Sequence, residues 1–502
     1  MREGAVMREV HKRYVANPFL PLDQYIPDGE PHVFGDRVYL FGSHDKEDGD
    51  SYCMLPYVVF SAPVDDLSHW SCPGVSYDGW KDPVATEERH HTYAPDVVQG
   101  KDGRFYLYYC LSGRRGHGGY WGPISVAVCD TPDGEYEYYG AVRNPDGSIY
   151  NQYVAFDPAV INDGGTIRLY YGALYPFEDL RNPLTNSVLD RVQSEMFHKT
   201  KEELHADPEG VMGPITVVLE DDMLTASGPS RRIMPTRVKG TQWQKHPFYE
   251  GSSIRKIGDF YYFIYSSRLN HELCYATSRY PDRDFQFRGT IVSTGDIGYQ
   301  GRKPKDRLNA TGTTHGSIEN INGKCYVFYH RLTHGTDYSR QACAEEITIL
   351  PDGGISQVEV TSCGLNSGPL PGKGRFPAVI CCNLTNKHMP HGSNKKHKNL
   401  PCVSSGEGKQ FITNIRNHTW IGYKYFDFQG AGTVALTIRG KASGVMQICT
   451  ELDGTPLAQI KISETADWRE WEAVVGFPPG KRGLFLHFQG KGTLDLLEIQ
   501  LM

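Results

Sequence analysis

Apolar and polar positions over the first three quarters of the chain recur in a two-strand frame. A short polar head precedes an apolar strand, a tight turn carrying Gly or Asp, and a second strand dense in Tyr, Leu and Phe. The frame reads DGEPHVFGDRVYLFGS from Asp28, APDVVQGKDGRFYLYYC from Ala94, DPAVINDGGTIRLYYG from Asp157, EGSSIRKIGDFYYFIYS from Glu250 and HGSIENINGKCYVFYH from His315. Alternation with period two and Gly-Asp or Asn-Gly turns predict hairpins. Third strands follow in YVVFSAPVDD, ISVAVCDTPDG and ELCYATSRYPD, and fourth strands in LSHWSCPGV, YEYYGAV and FQFRGTI. Four antiparallel strands per unit, repeated around an axis, predict a five-bladed β-propeller over residues 1–367.

Two stretches break the pattern. Between about 173 and 228 the chain inserts PFEDLRNPLTNSVLDRVQSEMFHKTKEELHADPEG, whose Asp190–His205 part has helical composition, and we expect a surface insertion at the funnel mouth. From 368 to 502 the frame is gone. After a basic, unperiodic loop, short alternating strands such as TWIGYKYFDF, GTVALTIRG and RGLFLHFQG follow at roughly ten-residue spacing, which predicts a β-sandwich of jelly-roll type. The expected fold is therefore all-β.

Composition narrows the function. A net charge of -7 gives no footprint for nucleic acid or an anionic membrane. No apolar run approaches the roughly 18 residues of a membrane span. The opening MREGAVMREVHKRY has no apolar core of a secretory signal. The 12 Cys form no CxxC pair, and Cys110, Cys129 and Cys325 sit inside apolar strands, so they read as reduced core residues. Together these predict a cytoplasmic protein. The 31 Tyr suit sugar-stacking surfaces.

The heads carry the candidate chemistry. In a propeller the first strand of each blade lines the axis, so Asp28 (or Glu30), Asp157 and Glu250 would converge in one pocket. Each acid alone is an ordinary turn or strand-edge residue; the shared register singles them out. Crowded carboxylates oppose one another's ionisation. Glycosidic hydrolysis uses such a set: one protonated acid for the leaving oxygen, one ionised base for water. Counting back from Val38 gives Asp28 the spacing that Asp157 has to Ile167, which favours Asp28 as the first blade's head and leaves Glu30 as neighbour or alternative.

With NPFLPLDQYIPDGEPHVFGDRVYLFGSHD from Asn17, YAPDVV, FDPAVIND, YEGSSIRKIGDFYYFIYS and THGSIENINGKCYVFYH in this order, the chain resembles glycoside hydrolase family 43. The resemblance implies an inverting hydrolase acting on arabinose-, xylose- or sometimes galactose-containing glycans, with the general base at Asp28 or, alternatively, Glu30. It assigns the general acid to Glu250, the orienting acid to Asp157 and an axial histidine that contacts water or a cation to His315. It requires no cofactor; His315 reads first as a buried, hydrogen-bonded histidine, with a structural calcium ion held mostly by waters and oriented through His315 as the alternative. His44, Asp45, His91, Tyr93, Arg268 and Arg331, at strand ends near the funnel, are candidate sugar contacts. The departure is Pro27-Asp28-Gly29-Glu30-Pro31, where the family shows Asp-Pro. An exo-acting enzyme for small oligosaccharides is expected.

The last 130 or so residues resemble, more loosely, a family 6-like carbohydrate-binding module, with Trp420, Tyr423, Tyr425, Trp468 and Trp471 available for stacking on sugars. The competing reading is a non-catalytic glycan-binding propeller, which would have no need of in-register acids.

Overall fold

A computed structural model describes residues 8–11, 14–113, 119–392 and 399–502. Each frame folds as the inner hairpin of a separate sheet. The sheets are built from Glu30–Phe34, Arg37–Phe41, Phe60–Pro63 and His69–Cys72; His91–Gln99, Phe105–Ser112, Ile124–Cys129 and Glu137–Ala141; Ala159–Asp163, Thr166–Tyr171, Ile215–Leu219 and Ala226–Arg232; Phe248–Ile257, Phe260–Ser267, Glu272–Ser278 and Gln286–Ser293; and Ser317–Ile321, Lys324–Leu332 and Arg340–Ile347. The turn chemistry works as the sequence indicates: Asn322 and Gly323 both have positive φ, the conformation of a tight two-residue hairpin.

Every pair of adjacent blades shares one apolar core. Val38, Leu40, Phe60 and Trp70 of the first blade pack on Tyr326, Phe328 and Ala344 of the fifth, which closes the ring. The fifth blade has three strands of its own, and the segment around Asn17 runs along its outer edge. The Asn17 side chain accepts from the Ala344 amide at 2.9 Å and donates to the Ala344 carbonyl at 2.9 Å, while Phe19 N–H donates to Ala342 O. An edge that would lie open is thereby paired.

The insertion is shorter than expected. Ile215–Leu219 and Ala226–Arg232 are the third and fourth strands of the third blade, so the stretch up to 228 includes ordinary blade. Its β-branched and small residues pair more favourably in the sheet than as a surface loop. The helices are Phe177–Leu180, Asn186–Phe197 and Lys201–Leu204, the last opened by a capping box between Thr200 and Glu203. Phe197 packs on Tyr120, and the Leu174 amide donates to Tyr249 O, so the insertion backs one wall of the axial pocket.

The C-terminal strands form one large mixed sheet that folds over a core of Tyr423, Phe426, Leu436, Met446, Leu486 and Ile499, consistent with a sandwich. Its long strand Ala431–Cys449 pairs with Gly480–Leu501 and shifts register against Thr465–Gly476 between Ile438 and Gly440. At Gly440 φ is +140°, and a Cβ would lie 2.5 Å from Thr493 O. The domain is fastened to the propeller by buried polar contacts: Lys424 Nζ to Asp296 at 3.1 Å and Glu359 at 3.0 Å, and Arg331 to the carbonyls of Cys381 and Cys382. All 12 cysteines are unpaired thiols. Among the described residues no helix is long and apolar enough to cross a membrane.

Candidate active site

Strand register fixes which side chains meet on the axis. Glu30, Ala159, Ser253 and Ser317 occupy the same rung of their hairpins, paired with Phe41, Tyr170, Ile264 and Phe328, and Asp96 is the corresponding residue of the second blade. Two residues further up stand Asp28, Ala94, Asp157, Gly251 and His315. Four of these heads are left-handed, with φ of 58°, 40°, 46° and 72° at Asp28, Ala94, Asp157 and Gly251. Outside glycine that conformation costs energy and clusters at functional sites.

The heads converge. One pocket is lined by Asp28, Asp157, Glu250, His315, Tyr93, Arg340, Tyr52, Cys53, Tyr120, Phe156, Thr313 and Thr314. Its volume of about 80 Å³ for the centres of water molecules holds several waters or one sugar ring. Three acids borne by three blades therefore face one space. Asp28 stands at its wall, and Glu30 lies one rung below.

Their surroundings push them apart. Burial works against the charged form of Asp28, but the Arg340 guanidinium, 3.1 Å from Oδ1, outweighs it and holds the carboxyl below the usual range. His330 assists as a neutral ring: its Nδ1 accepts the Asp28 amide at 3.2 Å and its Nε2 donates to Thr313 O, and burial lowers its pKa to about 3. Glu250 has no such cation in contact. Burial, then the negative charge of Asp28, pushes it up to about 8. Asp157 rises well above its ordinary value through burial and repulsion from Glu250 and Asp28, and its Oδ2 accepts the Gly251 amide at 2.9 Å. One carboxylate is thus ionised at neutral pH while another carries a proton in the same pocket, the arrangement acid–base chemistry requires.

Several expected contacts lie elsewhere. Asp45 is fully buried behind the wall, where it accepts from Arg340 Nε at 2.8 Å and Nη2 at 2.9 Å. His44 Nδ1 is engaged with Pro56 O, and neither His44 nor His91 lines the pocket. Arg268 lines a separate cavity with His246, His271 and Arg307. Arg331 belongs to the domain interface. Each lies at or just beyond a strand end, and none of them lines the axial pocket. Of the C-terminal aromatics, Trp420 and Tyr423 are buried, Tyr425 donates to Glu359, and Trp468 lies under the Arg439 guanidinium at 4.3 Å. Trp471 packs half-buried against the sandwich core.

Arg340 is the residue that sequence reasoning missed. It sits on a third strand, where no repeated spacing marks it. Phe156, Thr313 and Thr314 were findable, since they directly precede Asp157 and His315 in the frame.

Known proteins bear on this arrangement. Residues 16–205 match the family described as glycosyl hydrolases family 43. The chain is 40% identical over 496 residues to a xylosidase/arabinosidase of Thermoclostridium stercorarium, covering 96% of this chain and 97% of that one. It is 28% identical to xylosidase/arabinosidase 43A of Humicola insolens, over 66% of this chain and 96% of that one. A β-xylosidase/α-arabinofuranosidase from a compost microbial metagenome, solved with xylotriose in a calcium-free form, superposes with TM-score 0.50 at 26% identity, covering 70% of this chain and 99% of that one.

Proposed function

Because this chain belongs to glycosyl hydrolase family 43, a family of inverting enzymes, we propose that it releases a terminal xylose or arabinofuranose from plant-type oligosaccharides by single displacement. The observation that carries the assignment of roles is the divergence of Asp28 and Glu250: one carboxyl ionised, one protonated, in a pocket for one ring. Relatives whose names join xylosidase and arabinosidase support the sugar class. The small pocket walled by Tyr52, Tyr120 and Phe156 suits a chain end, hence exo action.

Asp28 takes a proton from a water as its oxygen attacks the anomeric carbon. The bond from that carbon to the leaving oxygen breaks, and Glu250 delivers its proton to that oxygen. An inverting pair needs roughly 6.5–9.5 Å between carboxyls to admit the water. Burial and the charge of Asp28 keep Glu250 protonated, and Asp157 holds the turn beside it by accepting the Gly251 amide. Proton exchange with solvent resets both groups. Carboxylates and water suffice for this chemistry, with no cofactor.

A calcium ion oriented through His315 finds a poor donor set. Calcium takes 6–8 oxygens. Below His315, Asp96 is committed to the Val97 and Val160 amides and to His32, and Glu30 Oε2 to Ser253 and Arg255. Glu30 Oε1 and His315 Nε2 are without a hydrogen-bond partner, and they offer one oxygen and one nitrogen. The residues do not fit a calcium ion, and no step runs through one. In the C-terminal domain, Trp420 and Tyr423 pack inside the sandwich and Tyr425 donates to Glu359 of the propeller, which favours packing over sugar binding.

The test is hydrolysis of nitrophenyl β-xyloside and α-arabinofuranoside. Asp28→Ala and Glu250→Ala should each lower kcat by about a thousandfold or more, azide should restore turnover by Asp28→Ala, and the first sugar released should carry the inverted anomer. Glycan binding without hydrolysis by the wild type would favour a lectin instead.

A further inference from the structure

Beneath the pocket the propeller axis is filled with charge that the reaction does not use. Glu30, Asp96, Ser253 and Ser317 form one layer, all buried. His32, Arg255 and Glu319 form the next layer down. Arg255 is the centre of this stack. Its Nη2 donates to Glu30 Oε2 at 2.8 Å and to Pro31 O at 2.8 Å, its Nη1 donates to Ile254 O at 2.8 Å, and Glu319 lies 3.5 Å from Nε. His32 Nε2 lies 3.5 Å from Nη2 and 2.6 Å from Asp96. Ser253, on the same strand as Arg255, donates to Glu30 at 3.1 Å and to Ser317 at 2.7 Å. The stack then reaches the reaction centre: Glu30 Oε1 lies 3.8 Å from His315 Nε2, and His315 Nδ1 lies 4.0 Å from Asp28.

Two buried acids, Glu30 and Asp96, and the half-buried Glu319 on one axis are costly without a balancing cation, and burial pushes Glu30 up to about 8 even with Arg255 beside it. Arg255 supplies that charge from within the chain, and its planar fork satisfies the Glu30 carboxylate and a main-chain carbonyl together. A divalent ion at the remaining Glu30 oxygen would share one carboxylate with a guanidinium, and like charges at that range repel.

We propose that Arg255 takes the place of an axial metal ion, fixing Glu30 and through it His315 beneath the base Asp28, so that turnover is independent of calcium. Arg255 is then a positioning residue with no contact to substrate. The inference rests on the glycosidase reading above.

The experiment compares stripped and calcium-loaded protein. Wild-type enzyme treated with EDTA and desalted is expected to keep kcat/KM on nitrophenyl pentosides within about twofold, and to give no saturable heat when titrated with calcium chloride. Arg255→Met should lower kcat about a hundredfold with little change in KM, acquire a calcium site by calorimetry, and recover part of its kcat in calcium. Arg255→Lys, which keeps the charge and loses the fork, should fall between the two and bind no calcium. A wild type that loses activity on stripping and regains it with calcium overturns the proposal. So does a correctly folded Arg255→Met with undiminished kcat or without a calcium site. If Arg255→Met does not fold, the wild-type stripping and calorimetry decide alone. A wild type inactive on every glycoside refutes the enzyme reading instead, and the calorimetry still answers the question of the metal.

Discussion

Removal of the Arg340 guanidinium isolates the interaction on which the division of labour depends. Arg340 Nη1 lies 3.1 Å from Asp28 Oδ1, and the same side chain spans Asp45 through Nε and Nη2. With about 4 Å between charge centres and an effective dielectric near 20, the attraction is about 4 kcal/mol, equivalent to roughly a thousandfold in the acid dissociation constant. The sign is unambiguous: the cation favours the ionised carboxyl, so its loss raises Asp28. Activity needs Asp28 ionised and Glu250 protonated, so kcat/KM should be bell-shaped, rising at acid pH as Asp28 ionises and falling near pH 8 as Glu250 loses its proton. In Arg340→Met the acid limb should move up by about two to three pH units. The falling limb should also move up, because Arg340 lowers Glu250 as well. Activity at pH 5 should drop roughly tenfold more than at pH 8. The single variant leaves Asp45 buried without its partner, a loss worth about 3–5 kcal/mol of stability. The double variant Arg340→Met/Asp45→Asn removes that orphan charge and should show the same displaced limb with higher thermal stability. The assay is kcat/KM on nitrophenyl xyloside from pH 4 to 10 beside thermal unfolding. An acid limb unmoved in a folded double variant would refute the electrostatic account of Asp28.

Gly251→Ala should lower kcat and stability together, by about 1 kcal/mol or more in unfolding free energy: φ is +72°, and a Cβ would stand 3.2 Å from the His315 ring. Activity falling in step with displaced His315 ring resonances is the expected signature; a neutral substitution would show that the head turn tolerates a side chain. Arg331→Met strips donors from the buried Cys381 and Cys382 carbonyls, so unfolding should become about 2–4 kcal/mol easier with KM on small aryl glycosides unchanged. A raised KM would instead restore Arg331 to the sugar site. Trp420→Ala should cost about 3–5 kcal/mol, since the ring is buried and stacked on His487 at 4.0 Å, and retention on xylan in affinity electrophoresis should not change. Lost xylan retention by a folded variant would reveal a sugar platform.

The repeated hairpin frame, its turns and the acids at its heads follow from the sequence alone, because alternation and turn chemistry are local and a blade's first strand must face the axis. Asp28, Asp157, Glu250 and His315 were legible as residues facing the axial pocket for that reason, and turn spacing placed Asp28 rather than Glu30 at the pocket. Lateral placement was not legible. Whether Arg331 or Arg340, both near the ends of the fifth blade's strands, reaches the pocket depends on sheet twist and on the docked C-terminal domain, which captures Arg331 with the Cys381 and Cys382 carbonyls. The third and fourth strands of the third blade looked like insertion because their pairing partners lie across a helical detour, beyond any local window. Protonation states belong entirely to the tertiary structure: Asp28 and Glu250 are similar acids in the chain, and only burial and the position of one guanidinium make them different in the pocket.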